Sequence, residues 1–401
     1  MPWTRLRLVW PLLICVSFFA PGARGQKLVY MVSYTNTPAS FRAQFPNGVL
    51  GATPEQRVAM VRQRIRTEVW SVSVKDGKRE RLFSDGGMSF EIVPGVDMGA
   101  PVNGARNVAY VRGIDYAWQG PPKRATQESY EPPSGIYEVA LNGSNRFRRL
   151  FDAPQNMALA TVNAAGTRAA VSGWEDNGAG YFLYVYDLPS GKLLARTDIK
   201  KILQAHCGEC IPGGAGWFAD GKRLFFTMEE GDADDPPGPG AEVTPGNYMV
   251  SAEGGDLGGF PARTGEVNLQ DYWRNPSVAP YLIRQTENGN YVFHDSASKK
   301  DLLPRALDPP AFVVITGADF KIQKQIALGR ADASQFELSC DGSLLAFAED
   351  RQLPGYKAQR HLWIRNLQTG EEKEALAAPP ANPRNSPNPN VTVTILGWLE
   401  N

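Results

Sequence analysis

The sequence predicts an all-β fold, a six-bladed β-propeller, and three observations carry that expectation. A strand–turn–strand unit recurs down the chain, its spacing suits a four-stranded blade, and the two ends read as complementary parts of one blade. Glycine and proline make up 40 and 31 of the 401 residues, a turn-rich composition foreign to helical proteins. The 42% hydrophobic content is enough for a sizeable core.

In chain order, the first element is an address. Arg5 and Arg7 precede an apolar run from Leu8 to Ala20, and Ala23 and Gly25 stand at −3 and −1 of a cleavage site before Gln26. The run is interrupted by Pro11 and is too short to span a bilayer comfortably. Cys15 lacks the small preceding residue of a lipidation site, because Ile14 stands there. Residues 1–25 are therefore expected to be a signal peptide, and 26–401 a single exported domain, periplasmic or secreted. The whole chain balances 42 Lys+Arg against 42 Asp+Glu. Removing Arg5, Arg7 and Arg24 leaves 39 basic against 42 acidic groups. Such a balance argues against a nucleic-acid or anionic-membrane partner.

The repeat follows. Its first half is clearest in Phe218-Ala219-Asp220-Gly221-Lys222-Arg223-Leu224-Phe225-Phe226 and Leu338-Ser339-Cys340-Asp341-Gly342-Ser343-Leu344-Leu345-Ala346-Phe347. Weaker copies lie at 163–171 and 287–293, and a degenerate one at 104–111. Asp-Gly and Asn-Gly are hairpin signals because the turn needs φ > 0. The second half pairs a strand such as Val69–Val74, Ile136–Leu141, Leu183–Asp187, Tyr248–Ser251, Phe312–Ile315 or Leu362–Asn366 with a polar turn. These turns fall at Gly77, Gly143, Gly191, Gly254, Asp319 and Gly370. Five steps from 77 to 370 give a period of about 59 residues, a minimal blade plus inserted loops. Six units of β-branched and aromatic strands read as six blades rather than seven. Leu28–Tyr34 resembles a second strand and Val393–Trp398 the missing first strand, so the termini are expected to close blade one jointly. The Pro/Asn-rich stretch 379–390 would be the tether that brings the last strand home.

The Asp-Gly-Lys-Arg-Leu-Phe-Phe and Asp-Gly-Ser-Leu-Leu-Ala-Phe turns, each followed by a strand ending near Asp/Asn-x-x-x-Gly, resemble the TolB-type WD-like propeller repeats. The resemblance covers essentially all of 26–401. It implies a packing unit rather than a chemistry, since similar propellers include periplasmic partner-binding scaffolds and the non-catalytic propellers of prolyl-oligopeptidase-like peptidases.

Candidate chemistry is sparse. The Gly216–Lys222 match to a phosphate-binding loop fails, because Arg223 replaces the Ser/Thr and the segment lies between two strands. His206-Cys207-Gly208-Glu209-Cys210 lacks a second cysteine pair, and in an exported chain Cys207 and Cys210 are expected as a local disulfide. Cys340 is expected as a buried free thiol in an apolar strand. Of the three histidines, His206, His294 and His361, His294 stands beside Asp295 in a blade-five strand where it would face the channel. There is no Gly-x-Ser-x-Gly or His-Glu-x-x-His pattern, so no hydrolase signature. Glu229, Glu230, Asp232, Asp234 and Asp235 form an acidic loop able in principle to hold Ca²⁺, although Pro236 departs from the EF-hand pattern. No other cofactor is expected.

The connections between second and third strands are long at 35–66, 113–134, 229–246, 296–311 and 350–360, all on one face, while the glycine turns of the other face stay short. Long loops on a rigid scaffold are where binding resides. These loops carry Phe41, Arg42, Phe45, Tyr116, Trp118, Lys123, Arg124, Tyr130 and Tyr356 as candidate partner-binding residues. Thr53-Pro54-Glu55-Gln56 signals a short helix to about Arg66, with Val58, Val61 and Ile65 on one face. The expected function is a non-enzymatic scaffold for an envelope or extracellular protein or peptide. The alternative is a carbohydrate-active or hydrolytic enzyme, metal-dependent or not, working at the channel mouth near His294 and the 229–235 carboxylates. A third reading is a module of a larger envelope assembly without a discrete ligand.

Overall fold

A computed structural model describes residues 26–35, 53, 65–86, 88, 90–92, 97–99, 102–117, 124–126, 129–131, 133–153, 156–163, 165–174, 181–198, 211–229, 246–254, 258–259, 281–286, 288–295, 312–319, 321–328, 330, 333–353, 358–379 and 390–400. Within them six small sheets form the blades of a propeller. Blade one orders β28 (Asn390–Leu399), β1 (Lys27–Thr35), β2 (Ile65–Ser73) and β3 (Arg79–Ser84) from the inside out. Blade two orders β4 (Phe90–Ile92), β7 (Val108–Asp115), β10 (Ser134–Ala140) and β11 (Phe147–Asp152). Blade three runs β12 (Asn156–Val162), β13 (Arg168–Trp174), β14 (Tyr181–Asp187) and β15 (Lys192–Asp198). Blade four runs β16 (Ile211–Trp217), β17 (Arg223–Glu229), β18 (Gly246–Ser251) and the brief β19 (Gly258–Gly259). Blade five runs β20 (Tyr281–Gln285), β21 (Tyr291–Asp295), β22 (Phe312–Thr316) and β23 (Ile322–Ala327). Blade six runs β24 (Ala333–Leu338), β25 (Leu344–Gln352), β26 (Ala358–Asn366) and β27 (Glu372–Ala377).

The termini meet as the sequence implies. β28 lies antiparallel to β1, from Lys27 opposite Leu399 to Thr35 opposite Asn390. The joined blade is then tied to blade six. The Trp398 indole N–H donates to the Glu337 carbonyl at 3.2 Å, Arg360 to the Val393 carbonyl at 3.1 Å, and Arg79 to the Ala375 carbonyl at 3.3 Å. Leu28, Tyr30, Val393, Ile395 and Trp398 pack with Leu362, Ile364 and Leu376 in one buried cluster. Burial of this apolar surface is what holds the ring shut, because exposed closing strands would be open edges.

Turn chemistry explains why weak copies of the repeat fold as strong ones do. Asp220 Oδ1 accepts the N–H of Lys222 at 2.9 Å and of Arg223 at 3.1 Å. The blade-three turn lacks that aspartate, and Asn163 Oδ1 takes its place by accepting the N–H of Thr167 and Arg168 at 2.9 and 3.0 Å. Each turn closes on a glycine with positive φ, +62° at both Gly166 and Gly221.

Regular irregularities guard the sheet edges. The outer strands β3, β11, β15, β23 and β27 each shift register against the neighbouring strand. A bulge of this kind twists an edge out of line for foreign strands. In blade one the Leu82 carbonyl next to such a shift accepts the Gly143 N–H of blade two at 2.8 Å, so the bulge also joins neighbours.

Four expectations need correction. The helix expected from Thr53 to Arg66 ends in strand instead, since Ile65 and Arg66 begin β2 and pair with Thr35 and Tyr34; residues 54–64 lie outside the described residues. The long connection expected at 350–360 is a tight one, because β25 and β26 remain paired to Gln352 opposite Ala358. Blade two does not open with one continuous first strand, although the turn at 104–107 that follows stays short. In blade two the inner strand is broken, with β4 pairing the upper part of β7 and β6 (Val102–Asn103) the lower part. Between them β5 (Asp97–Gly99) pairs in parallel with β12 of blade three. Finally, Cys340 is a free thiol but an exposed one, in the turn after β24 rather than in the strand.

Among the described residues there is no α-helix, only a 3₁₀ turn at Gly104–Arg106, and no helix long and apolar enough to cross a membrane.

Candidate functional site

Alternation of strand direction sends the second-to-third-strand connections and the links between blades to one face. The connections 36–64, 116–133, 230–245 and 296–311 leave there, whereas the opposite face carries five-residue turns at 163–167, 218–222, 286–290 and 339–343. The long-connection face is the candidate site, and two of its seams are described in side-chain detail.

At the seam of blades one and two, Tyr116 follows β7 half-buried, and its hydroxyl donates to Glu91 Oε2 at 2.8 Å. Glu91 is buried on β4, and Asp85 is buried after β3. Asp85 Oδ1 accepts the Thr67 N–H at 2.6 Å and Oδ2 the Ile92 N–H at 3.3 Å. Burial pushes the Asp85 carboxyl up to about 7, against the pull of those N–H groups. Nearby, Arg66 lies over the Tyr34 ring at 4.6 Å, and Glu68 accepts the Trp70 indole N–H at 3.0 Å.

At the seam of blades five and six, Trp363 is held between cations. Arg330 lies 3.7 Å and Arg351 5.3 Å from its ring, while its N–H donates to Glu349 at 3.0 Å. Arg330 also pairs with Glu372, which Arg365 engages at 3.2 Å. His361 Nδ1 is 3.3 Å from Glu374. The arrangement is a charge-balanced clasp between blades.

His294 sits differently from expectation. Its ring lies tilted against Phe336 of the next blade, the centroids 3.7 Å apart, buried in the seam rather than open on the channel, and burial drops its pKa to about 3. A neutral, enclosed imidazole is poorly suited to exchange protons with a substrate near neutral pH. Asp295 is the last residue of β21.

The structure gathers the sequence candidates unevenly. Arg124 and Tyr130 fall on a small hairpin, β8 (Arg124–Thr126) with β9 (Ser129–Glu131), rising from the blade-two connection. Glu229 ends β17. Phe41, Arg42, Phe45, Trp118, Lys123, Tyr356, Glu230, Asp232, Asp234, Asp235, His206, Cys207 and Cys210 lie outside the described residues, as do residues 1–25. Among the described residues no three His, Cys, Asp or Glu side chains are grouped to hold a metal ion. Sequence reasoning missed Asp85 and Glu91. Asp85-Gly86 looks like one more turn signal, and Glu91 sits in a three-residue strand too short to show alternation.

No protein-family model matches the chain, and no curated protein does. Solved structures with a similar fold include TolB from Acinetobacter baumannii, 13% identical over 94% of this chain and 67% of that one, with a TM-score of 0.44. A putative TolB from Agrobacterium tumefaciens is 9% identical over 92% of this chain and 98% of that one, with a TM-score of 0.43. An oligogalacturonate lyase from Vibrio parahaemolyticus is 8% identical over 86% of this chain and 78% of that one, with a TM-score of 0.39. Likeness at these levels concerns fold and carries nothing about activity.

Proposed function

We propose that this chain is an exported, non-enzymatic propeller scaffold that holds a protein or peptide partner through its long-connection face. The observation that carries the reading is the asymmetry of the ring: five-residue turns on one face, and on the other the connections 36–64, 116–133, 230–245 and 296–311. A rigid ring that gathers its long connections on one side presents a binding surface without spending its core on it. The blade-two connection includes Tyr116, Arg124 and Tyr130, residue types that anchor protein interfaces. The buried, neutral state of His294 favours a packing role for that residue over the enzyme alternative. Export rests on the leader-like residues 1–25, and removal of that segment is part of the proposal.

The test is capture from the native extract with the chain from Gln26 onward, beside a version whose residues 118–132 are replaced by a Gly-Ser turn. Retention of one protein by the first and its loss from the second, with both equally heat-stable, is the expected result. Equal retention by both would remove the blade-two connection from the interface.

A further inference from the structure

The seam between blades one and two contains two buried carboxyl groups that partner binding does not require. Asp85 and Glu91 are 4% and 8% exposed. Asp85 joins elements from both blades, with Oδ1 on the Thr67 N–H of β2 and Oδ2 on the Ile92 N–H of β4. Its own N–H donates to the Thr67 carbonyl at 3.0 Å, and its carbonyl accepts the Met88 N–H at 2.9 Å. Asp85 is therefore fixed in place whichever protonation state it adopts.

The charged and titratable surroundings can be named element by element. From β1, Ser33 Oγ lies 3.3 Å from Thr67 Oγ1. From β2, Glu68 follows Thr67 and is engaged by Arg66 at 3.6 Å and Arg81 at 3.3 Å, so its charge is already balanced. Arg66 passes Gly86, where a Cβ would meet its Cδ at 3.1 Å. From β4 comes Glu91, and beyond β7 the Tyr116 hydroxyl that donates to it. Two carboxyl groups buried in one seam do not both ionise cheaply. Burial and the Glu91 charge both push Asp85 upward, to about 7.

We infer that Asp85 is a proton-operated joint between blades one and two, fastening both Thr67 and Ile92 when ionised and releasing Ile92 when protonated. Protonation turns one carboxyl oxygen into an O–H donor and a much poorer acceptor, so one of the two N–H bonds is weakened, while the Thr67 side chain stays hydrogen-bonded to the carboxyl. The longer bond, 3.3 Å to Ile92, is the one given up. Ile92 ends β4, whose residues Ile92, Glu91 and Phe90 pair with Gly113, Ile114 and Asp115 of β7. Tyr116 comes next in the chain. Loosening at Ile92 is thereby passed to the root of the blade-two connection.

Amide exchange of the chain from Gln26 onward, compared at about pH 6 and about pH 8 after correction for the intrinsic rate, tests the joint. The Ile92 amide should lose about tenfold protection at the lower pH, while amides of 168–174 in blade three hold theirs. Asp85→Asn, which imitates the protonated group, should show the low protection at both pH values. Should that variant not fold, Glu91→Gln serves, because removing the neighbouring charge should move the midpoint of the Ile92 transition to lower pH. Equal protection of Ile92 at both pH values in the unaltered protein, or an unmoved midpoint in Glu91→Gln, would overturn the inference.

Discussion

Trp398→Ala probes the closure of the ring. Trp398 is 4% exposed, lies opposite Leu28 across the β28–β1 pair, and packs in the cluster shared by blades one and six. Truncating a buried tryptophan to alanine costs about 3–5 kcal/mol through lost burial and the cavity left behind. The Glu337 carbonyl also loses its 3.2 Å N–H donor, worth about 1 kcal/mol more. The total, about 4–6 kcal/mol, is a large share of the 5–15 kcal/mol that folded domains possess. Trp217 provides the internal comparison, because its indole donates to the Thr161 carbonyl of blade three at the same 3.2 Å. Trp398→Phe keeps most of the apolar area without the donor and should lie near the donor's share alone. Urea unfolding followed by tryptophan fluorescence and far-UV dichroism reads these differences as midpoint shifts. A loss below about 1.5 kcal/mol for Trp398→Ala would refute the claim that this side chain holds the seam.

Other expectations can be checked on the same material. The Asp85 carboxyl has a folded pKa near 7, above the roughly 3.9 of an unfolded chain, so its contribution is fully present below the unfolded value and is lost as pH rises through the folded one. The loss is at most about 4 kcal/mol, and urea midpoints of Asp85→Asn should flatten in the window between those two values, relative to the unaltered protein. Gly191→Ala should be much costlier than Gly143→Ala. Both have positive φ, but a Cβ at Gly191 would meet the Leu150 carbonyl oxygen at 2.2 Å while one at Gly143 meets nothing within 4 Å. Thermal melts should place Gly143→Ala about 1–2 kcal/mol below the parent, the cost of a left-handed backbone alone, and Gly191→Ala well below that. Leu194→Ala, at a side chain 47% exposed, should move the midpoint by about 0.5 kcal/mol or less.

The sequence disclosed the blades because hairpins announce themselves locally. Asp220-Gly221 and Asp341-Gly342 need only their own turn geometry to be recognised, and the strand–turn period follows from counting. Closure was legible because Leu28–Tyr34 and Val393–Trp398 lack partners near them in sequence. What stayed hidden depends on contacts far apart in the chain. Nothing local marks Ile65 as strand, since its partner Thr35 lies across a long connection. Nothing marks β5 as an addition to blade three, because its pairing with Leu159–Thr161 leaves blade two altogether. The reach of β25 and β26 to Gln352 and Ala358 was concealed by charged residues that read as loop; Asp350 and Arg360 pair across the strands, and Arg351 pairs with Glu349 along its own strand. His294 looked like a channel residue because alternation gives a face without saying which blade covers it. Phe336 of blade six does so.

The central claim is that one face of the ring holds a partner. It is tested most directly by a surface-labelling footprint of the protein with its captured partner bound. The account predicts protection at Tyr116 and along the blade-two connection, with the turns at 75–78, 142–145 and 339–343 labelled as in the free protein. Protection confined to those turns would contradict it.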